Sequence, residues 1–110
     1  MTQAVIYKNS QTGEIVGFQT EGHAGFADAG YDIICAAVSV LVINTVNSIE
    51  QFTDTDCEIT EDEENAVIRL MVHSSQTPKE LQVLLQSLEL GLSNVAYDNP
   101  DYLSITFKEV

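Results

Sequence analysis

An imidazole at His23 and a thiol at Cys35 stand twelve positions apart, and this pair of residue types can do nucleophilic acyl chemistry. The thiolate is the nucleophilic form of cysteine, and a cysteine in water titrates near ~8.5. An imidazole brought beside it can take the proton or hold the thiolate as an ion pair. It can later protonate a departing amine. Spacing alone leaves two bland roles open, a cysteine that fills core space and a histidine on an exposed loop. Asp32 and Ser39 are candidates for supporting roles. Asp32 suits a helix N-cap, because its carboxylate can accept from first-turn N–H groups, and it is also a candidate to orient His23. Ser39 lies one helical turn beyond Cys35 on the same face. It can bond the histidine, a substrate or its own helix. An oxyanion hole would draw on backbone N–H groups near Cys35, with an added loop donor.

His23 sits in a stretch, residues 21–31, that holds Gly22, Gly25 and Gly30. This reads as a mobile flap over a cleft, with Phe26 and Tyr31 as apolar contacts for a peptide. An ordinary surface loop is the alternative. The glycines match neither a P-loop nor a dinucleotide fingerprint, and nothing in the chain calls for a cofactor. Two dispersed histidines and two dispersed cysteines lack zinc-type spacing. The acidic run at Glu58, Glu61, Asp62, Glu63 and Glu64 lacks the order of a calcium loop, so no metal is expected. Cys57 reads as structural and His73 as a surface residue.

The surrounding elements follow from periodicity and turn chemistry. Residues 3–8 and 14–20 read as strands joined by the turn Asn9-Ser10-Gln11-Thr12-Gly13. A helix is expected from about Ile33 to Phe52, capped by Asp32, which puts Cys35 in its first turn, where open N–H groups and the dipole favour an anion. That helix is apolar on more than one side, with Ile34, Val38, Leu41 and Thr45 on one and Val42, Val46 and Ile49 on another. It belongs in the core or partly in a subunit interface. Residues 56–60 and 66–73 read as a second hairpin around the acidic turn Asp62-Glu63-Glu64-Asn65. Ala66, Ile68, Leu70 and Val72 make one wholly apolar face of it.

Thr77-Pro78-Lys79-Glu80 starts a second helix, with Thr77 as cap, Pro78 at the first helical position and Glu80 completing a capping box. Its stripe is Leu81, Leu84, Leu85, Leu88, Leu92 and Val95, and Asn99-Pro100 stops it. A final strand, residues 102–107, turns Leu103, Ile105 and Phe107 to one face. The expectation is an α+β fold, a mostly antiparallel sheet with two packed helices in the order β-β-α-β-β-α-β, as one domain over residues 1–110.

Seventeen acidic residues against four basic ones give a net charge of −13. Such a surface argues against nucleic acid, whose phosphates require clustered Lys and Arg, and against anionic membranes. It would attract a basic protein or peptide. The N-terminus lacks a signal-peptide pattern. The longest apolar run, Ile33 to Ile43, falls short of the ~20 residues of a membrane span. Two cysteines make no disulfide framework, and a cytoplasmic location with reduced thiols is the expectation.

The words Gly22-His23-Ala24 and Asp32-Ile33-Ile34-Cys35-Ala36-Ala37-Val38-Ser39, at this separation, resemble the signature of the ribosomal-processing cysteine protease family, Prp. The specific words cover residues 22–39, and Ile34 stands where valine is common. The resemblance implies Cys35 as nucleophile, His23 as base and a glycine-rich flap that moves when substrate binds. It further implies a small cytosolic homodimer that removes a short N-terminal extension from the twenty-seventh large-subunit ribosomal protein. Two other readings come from different classes. A non-enzymatic acidic binding module for ribosome assembly predicts a buried, unreactive Cys35. A thiol redox sensor needs Cys57 as its resolving cysteine.

Overall fold

The structure, a computed structural model, describes residues 1–22, 29–73 and 77–110, and the side chains of residues 29–32 lie outside that description. Seven elements follow in the order β1 (Thr2–Lys8), β2 (Ile15–Glu21), α1 (Ala29–Phe52), β3 (Cys57–Asp62), β4 (Val67–Val72), α2 (Lys79–Asp98) and β5 (Leu103–Glu109). This is the expected α+β order. The strands form one sheet in the spatial order β3-β4-β2-β1-β5. Three pairings are antiparallel, and β5 runs parallel to β1 along one edge.

Both hairpin turns form for local reasons. Asn9 Oδ1 accepts from the N–H groups of Gln11 (2.8 Å) and Thr12 (3.1 Å), an Asx-type turn. Gly13 closes that turn at φ 75°, where glycine carries no penalty. In the acidic turn, Asn65 donates from its side-chain amide to Asp62 Oδ2 (2.7 Å) and from its backbone N–H to Oδ1 (3.2 Å). These bonds favour the ionised form and hold the Asp62 carboxyl below its ordinary range.

Alternation then sets the core. Ala4, Ile6, Phe18, Leu70 and Leu103 occupy one sheet face. They meet Ile34, Val38, Val42 and Ile49 of α1 and Leu81, Leu85, Leu88 and Leu92 of α2 in a single cluster. Register keeps these side chains together: Ile6 pairs with Phe18, and Phe18 pairs with Leu70. Full burial of one such side chain stabilises the fold by about 1.5–3 kcal/mol. On the opposite sheet face the Arg69 guanidinium lies 5.3 Å from the Tyr7 ring centroid. Gly17 lies beneath Met71 there, where a Cβ would come within 2.4 Å of Met71 Sδ and 2.6 Å of the Leu70 carbonyl oxygen.

Three expectations are corrected. Helix α1 begins at Ala29, four residues before Ile33. Asp32 therefore falls inside its first turn instead of capping it, and Cys35 is the seventh helical residue. The Cys35 N–H belongs to the i→i−4 ladder, and the end effects of the helix fade within the first turn. Oxyanion donors from the backbone next to Cys35 are thus already committed. Helix α2 has Pro78 at its N-cap with no side-chain cap bond. The Thr77 hydroxyl donates instead to the Glu14 carboxylate across the fold. Leu103, Ile105 and Phe107 share one sheet face as expected, and Phe107 at the far end stays 52% exposed. Its ring faces Lys8 Nζ at 4.8 Å.

The third correction concerns α1 itself. By length and composition Ile33–Phe52 is apolar enough to cross a membrane, with a mean hydropathy of 1.8. An uninterrupted-run measure stops at Asn44 and misses this. In the fold one side of the helix is committed to the core through Ile34, Val38, Val42, Thr45 and Ile49, which is how the central helix of a globular sheet protein reaches such hydropathy. Ile33, Val40 and Ile43 remain exposed on another side.

Candidate active site

Cys35 lies on the second turn of α1, partly buried, where the helix passes the start of β1 and the end of β2. Its Sγ is 3.3 Å from Thr2 Oγ1, within hydrogen-bond contact for sulfur. Thr2 is fixed by β-pairing. Its N–H donates to the Tyr102 carbonyl (2.9 Å), and it pairs in register with Leu103 of β5. Gly22 closes in from the other side and donates its N–H to the Ala66 carbonyl oxygen (3.3 Å). A Cβ on Gly22 would meet Thr2 Oγ1 at 2.6 Å and Thr2 Cα at 2.9 Å. No L side chain fits that approach without moving the first strand, so glycine is a steric requirement here.

These contacts border a cleft of about 190 Å³. Val38, Val67 and Ile68 supply apolar lining, Cys35 and Ser39 come from α1, and Glu21, Glu61, Asp62 and Glu63 bring carboxylates. The cleft thus combines a thiol, an apolar surface long enough for a few side chains, and strong negative potential. That combination suits a peptide with basic character.

Of the residues singled out from sequence, Cys35, Ser39 and Gly22 come together at this cleft. Gly30, Tyr31 and Asp32 belong to the first turn of α1, where a loop was expected for Gly30 and Tyr31 and a cap for Asp32. His23, Gly25 and Phe26, the residues expected to supply the general base and part of the flap, lie outside the described residues. Among the described residues no group of His, Cys, Asp and Glu has the arrangement of a metal site. Thr2 was missed by sequence reading. A threonine near the start of a strand carries no local signal for contact with a residue on the following helix.

Cys57 begins β3, partly buried. Burial, then the Asp56 and Glu50 carboxylates, push its thiol above the ordinary range. Its thiolate is therefore scarce at neutral pH, which suits a structural residue and weakens the redox-sensor reading. His73 bonds Glu58 Oε2 at 2.8 Å on the exposed surface, the surface role expected of it.

Comparison with known proteins gives the same picture over nearly the whole chain. The family described as Cysteine protease Prp matches residues 1–104. The ribosomal processing cysteine protease Prp of Bacillus subtilis is 28% identical over 109 residues, covering 96% of each chain. The structure of SMU.848 from Streptococcus mutans superposes with a TM-score of 0.86 at 29% identity, over 100% of this chain and 96% of that one. The essential ribosomal processing protease Prp of Staphylococcus aureus, solved in complex with a substrate peptide, superposes with a TM-score of 0.89. It is 22% identical, over 98% of this chain and 100% of that one. The thiol-bearing cleft, the β-β-α-β-β-α-β order of sheet and helix, and this end-to-end match agree: the chain belongs to the Prp family of cysteine proteases.

Proposed function

We propose that this protein is the endopeptidase that removes the short N-terminal extension of the twenty-seventh large-subunit ribosomal protein, with Cys35 as nucleophile and His23 as its acid–base partner. The observation that carries the reading is the position of Cys35 in an acidic cleft also lined by Gly22, the residue that directly precedes His23. Ribosomal processing is the activity named for the B. subtilis relative, and a peptide complex is known for the S. aureus one.

In this mechanism His23 takes the thiol proton and Cys35 Sγ attacks the scissile carbonyl carbon. The C–S bond forms as the carbonyl π pair moves onto oxygen. Collapse of the tetrahedral adduct breaks the C–N bond, and His23 returns its proton to the amine as it leaves. Water, deprotonated by His23, then attacks the thioester. It releases the carboxylate of the extension and regenerates the thiol. Asp32 and Ser39 are retained as candidates to support the imidazole or the substrate. The net charge of −13 supports a basic protein substrate.

The direct test incubates the purified protein with the extended precursor and reads products by mass spectrometry. A single cut near the precursor N-terminus is expected. An intact precursor that nonetheless binds would favour the acidic ribosome-assembly module instead.

The same reading includes a cytoplasmic homodimer. Ile33, Val40 and Ile43 expose an apolar strip on α1, the surface kind that a second copy would cover. Light scattering is expected to return twice the chain mass. A monomer at micromolar concentration would remove the dimer from the proposal.

A further inference from the structure

We infer that the Thr2 hydroxyl is a positioning group for the nucleophile, holding Cys35 Sγ toward the cleft by an O–H···S hydrogen bond. The inference rests on the assignment of Cys35 as nucleophile and adds a residue from β1 to that site. Thr2 Oγ1 and Cys35 Sγ are 3.3 Å apart, and Thr2 is 4% exposed. Both residues line the cleft.

The direction of the bond follows from the chemistry. A thiol and a hydroxyl can each donate, but a thiolate has no proton, so in the reactive state Thr2 must be the donor. The geometry that aims this hydroxyl is unusually well fixed. Threonine is β-branched and stiff at χ1. Its backbone is held by the Tyr102 carbonyl and by pairing with β5. Gly22 packs so close to Oγ1 that a Cβ there would stand 2.6 Å away. The hydroxyl therefore sits between the residue that leads into His23 and the sulfur that His23 would serve. Hydrogen bonds to charged partners outweigh neutral ones, so this contact strengthens as the thiolate forms. A role in packing alone would leave the hydroxyl dispensable.

The test compares Thr2→Val, which keeps the shape and removes the hydroxyl, with Thr2→Ser, which keeps the hydroxyl and removes the methyl. Two rates are read at pH 7: alkylation of Cys35 by iodoacetamide, located by peptide mass mapping, and kcat and KM on the extended precursor. Thr2→Val is expected to slow alkylation and kcat by about tenfold with KM unchanged, and Thr2→Ser to recover both to within about threefold. The inference is overturned if Thr2→Val matches wild type, if Thr2→Ser is as slow as Thr2→Val, or if only KM moves. Thermal melting of both variants separates a lost bond from a lost fold. The two proposals fail separately. A chain whose Cys35 alkylation depends on Thr2 as stated, yet which cuts no precursor, overturns the protease assignment and leaves the contact standing.

Discussion

Cys35→Ala lowers kcat/KM for precursor cleavage by about 10³-fold or more, because the carbon that is attacked then has no sulfur to bond. The magnitude follows from what remains. Without the nucleophile the cleft still binds and orients a peptide, but the only attacking species is water. The substitution is structurally mild. Cys35 is partly buried on a helix, alanine is the best helix former, and Ala36 and Ala37 already follow it. Folding is therefore expected to survive, and the loss reads as chemistry. His23→Ala should cost less, about 10²–10⁴-fold. Steady-state cleavage of the precursor by both variants, with circular dichroism as a control, measures this. If Cys35→Ala kept wild-type turnover, the thiol would have no part in the reaction and the covalent mechanism would be wrong.

The largest expected loss of stability comes from a residue far from the cleft. Gln82 is buried on α2 and treats β2 as a strand would. Its Nε2 donates to the Ile15 carbonyl (2.8 Å), and its Oε1 accepts from the Ile15 N–H (3.0 Å). One side-chain amide thereby satisfies both backbone groups where β2 begins, next to the register shift at Tyr7 and Lys8. Gln82→Leu preserves bulk and apolar burial but orphans two backbone groups away from water. Each costs about 1–3 kcal/mol, so a total of about 2–6 kcal/mol is expected, a large share of the roughly 5–15 kcal/mol typical of a domain. Urea unfolding should show a lower midpoint with little change in slope. An unchanged midpoint would mean that Ile15 finds other partners.

These two residues also show what the sequence can and cannot disclose. The element order was legible because its signals are local. Asn9 to Gly13 is turn chemistry, β4 alternates, and α2 carries a leucine stripe at helical spacing that the structure buries through Leu81, Leu85, Leu88 and Leu92. Cys35 stood out as the proposed nucleophile because of its distinctive flanking words. Long-range contacts were not. Thr77 looked like a cap because threonine before Pro-Lys-Glu caps helices, yet Glu14, distant in sequence, takes its hydroxyl. Asp32 carried a cap signal of the same kind, and the chain turns helical before reaching it. Gln82 reads as an ordinary polar residue, and Thr2 as an ordinary strand residue. Their roles exist only once the sheet has brought sequence-distant groups together.

The parallel pairing of β1 with β5 has a consequence for biosynthesis. During translation the first strand emerges before the neighbour that holds its outer edge, which follows β2, α1, β3, β4 and α2. Until then the Thr2 N–H lacks the Tyr102 carbonyl, and the cleft wall that Thr2 forms is unanchored. A nascent chain thus carries Cys35 before it carries the strand that anchors Thr2 beside it. The outer edge of the first strand, and with it the Thr2 wall of the cleft, is therefore completed only when β5 is in place.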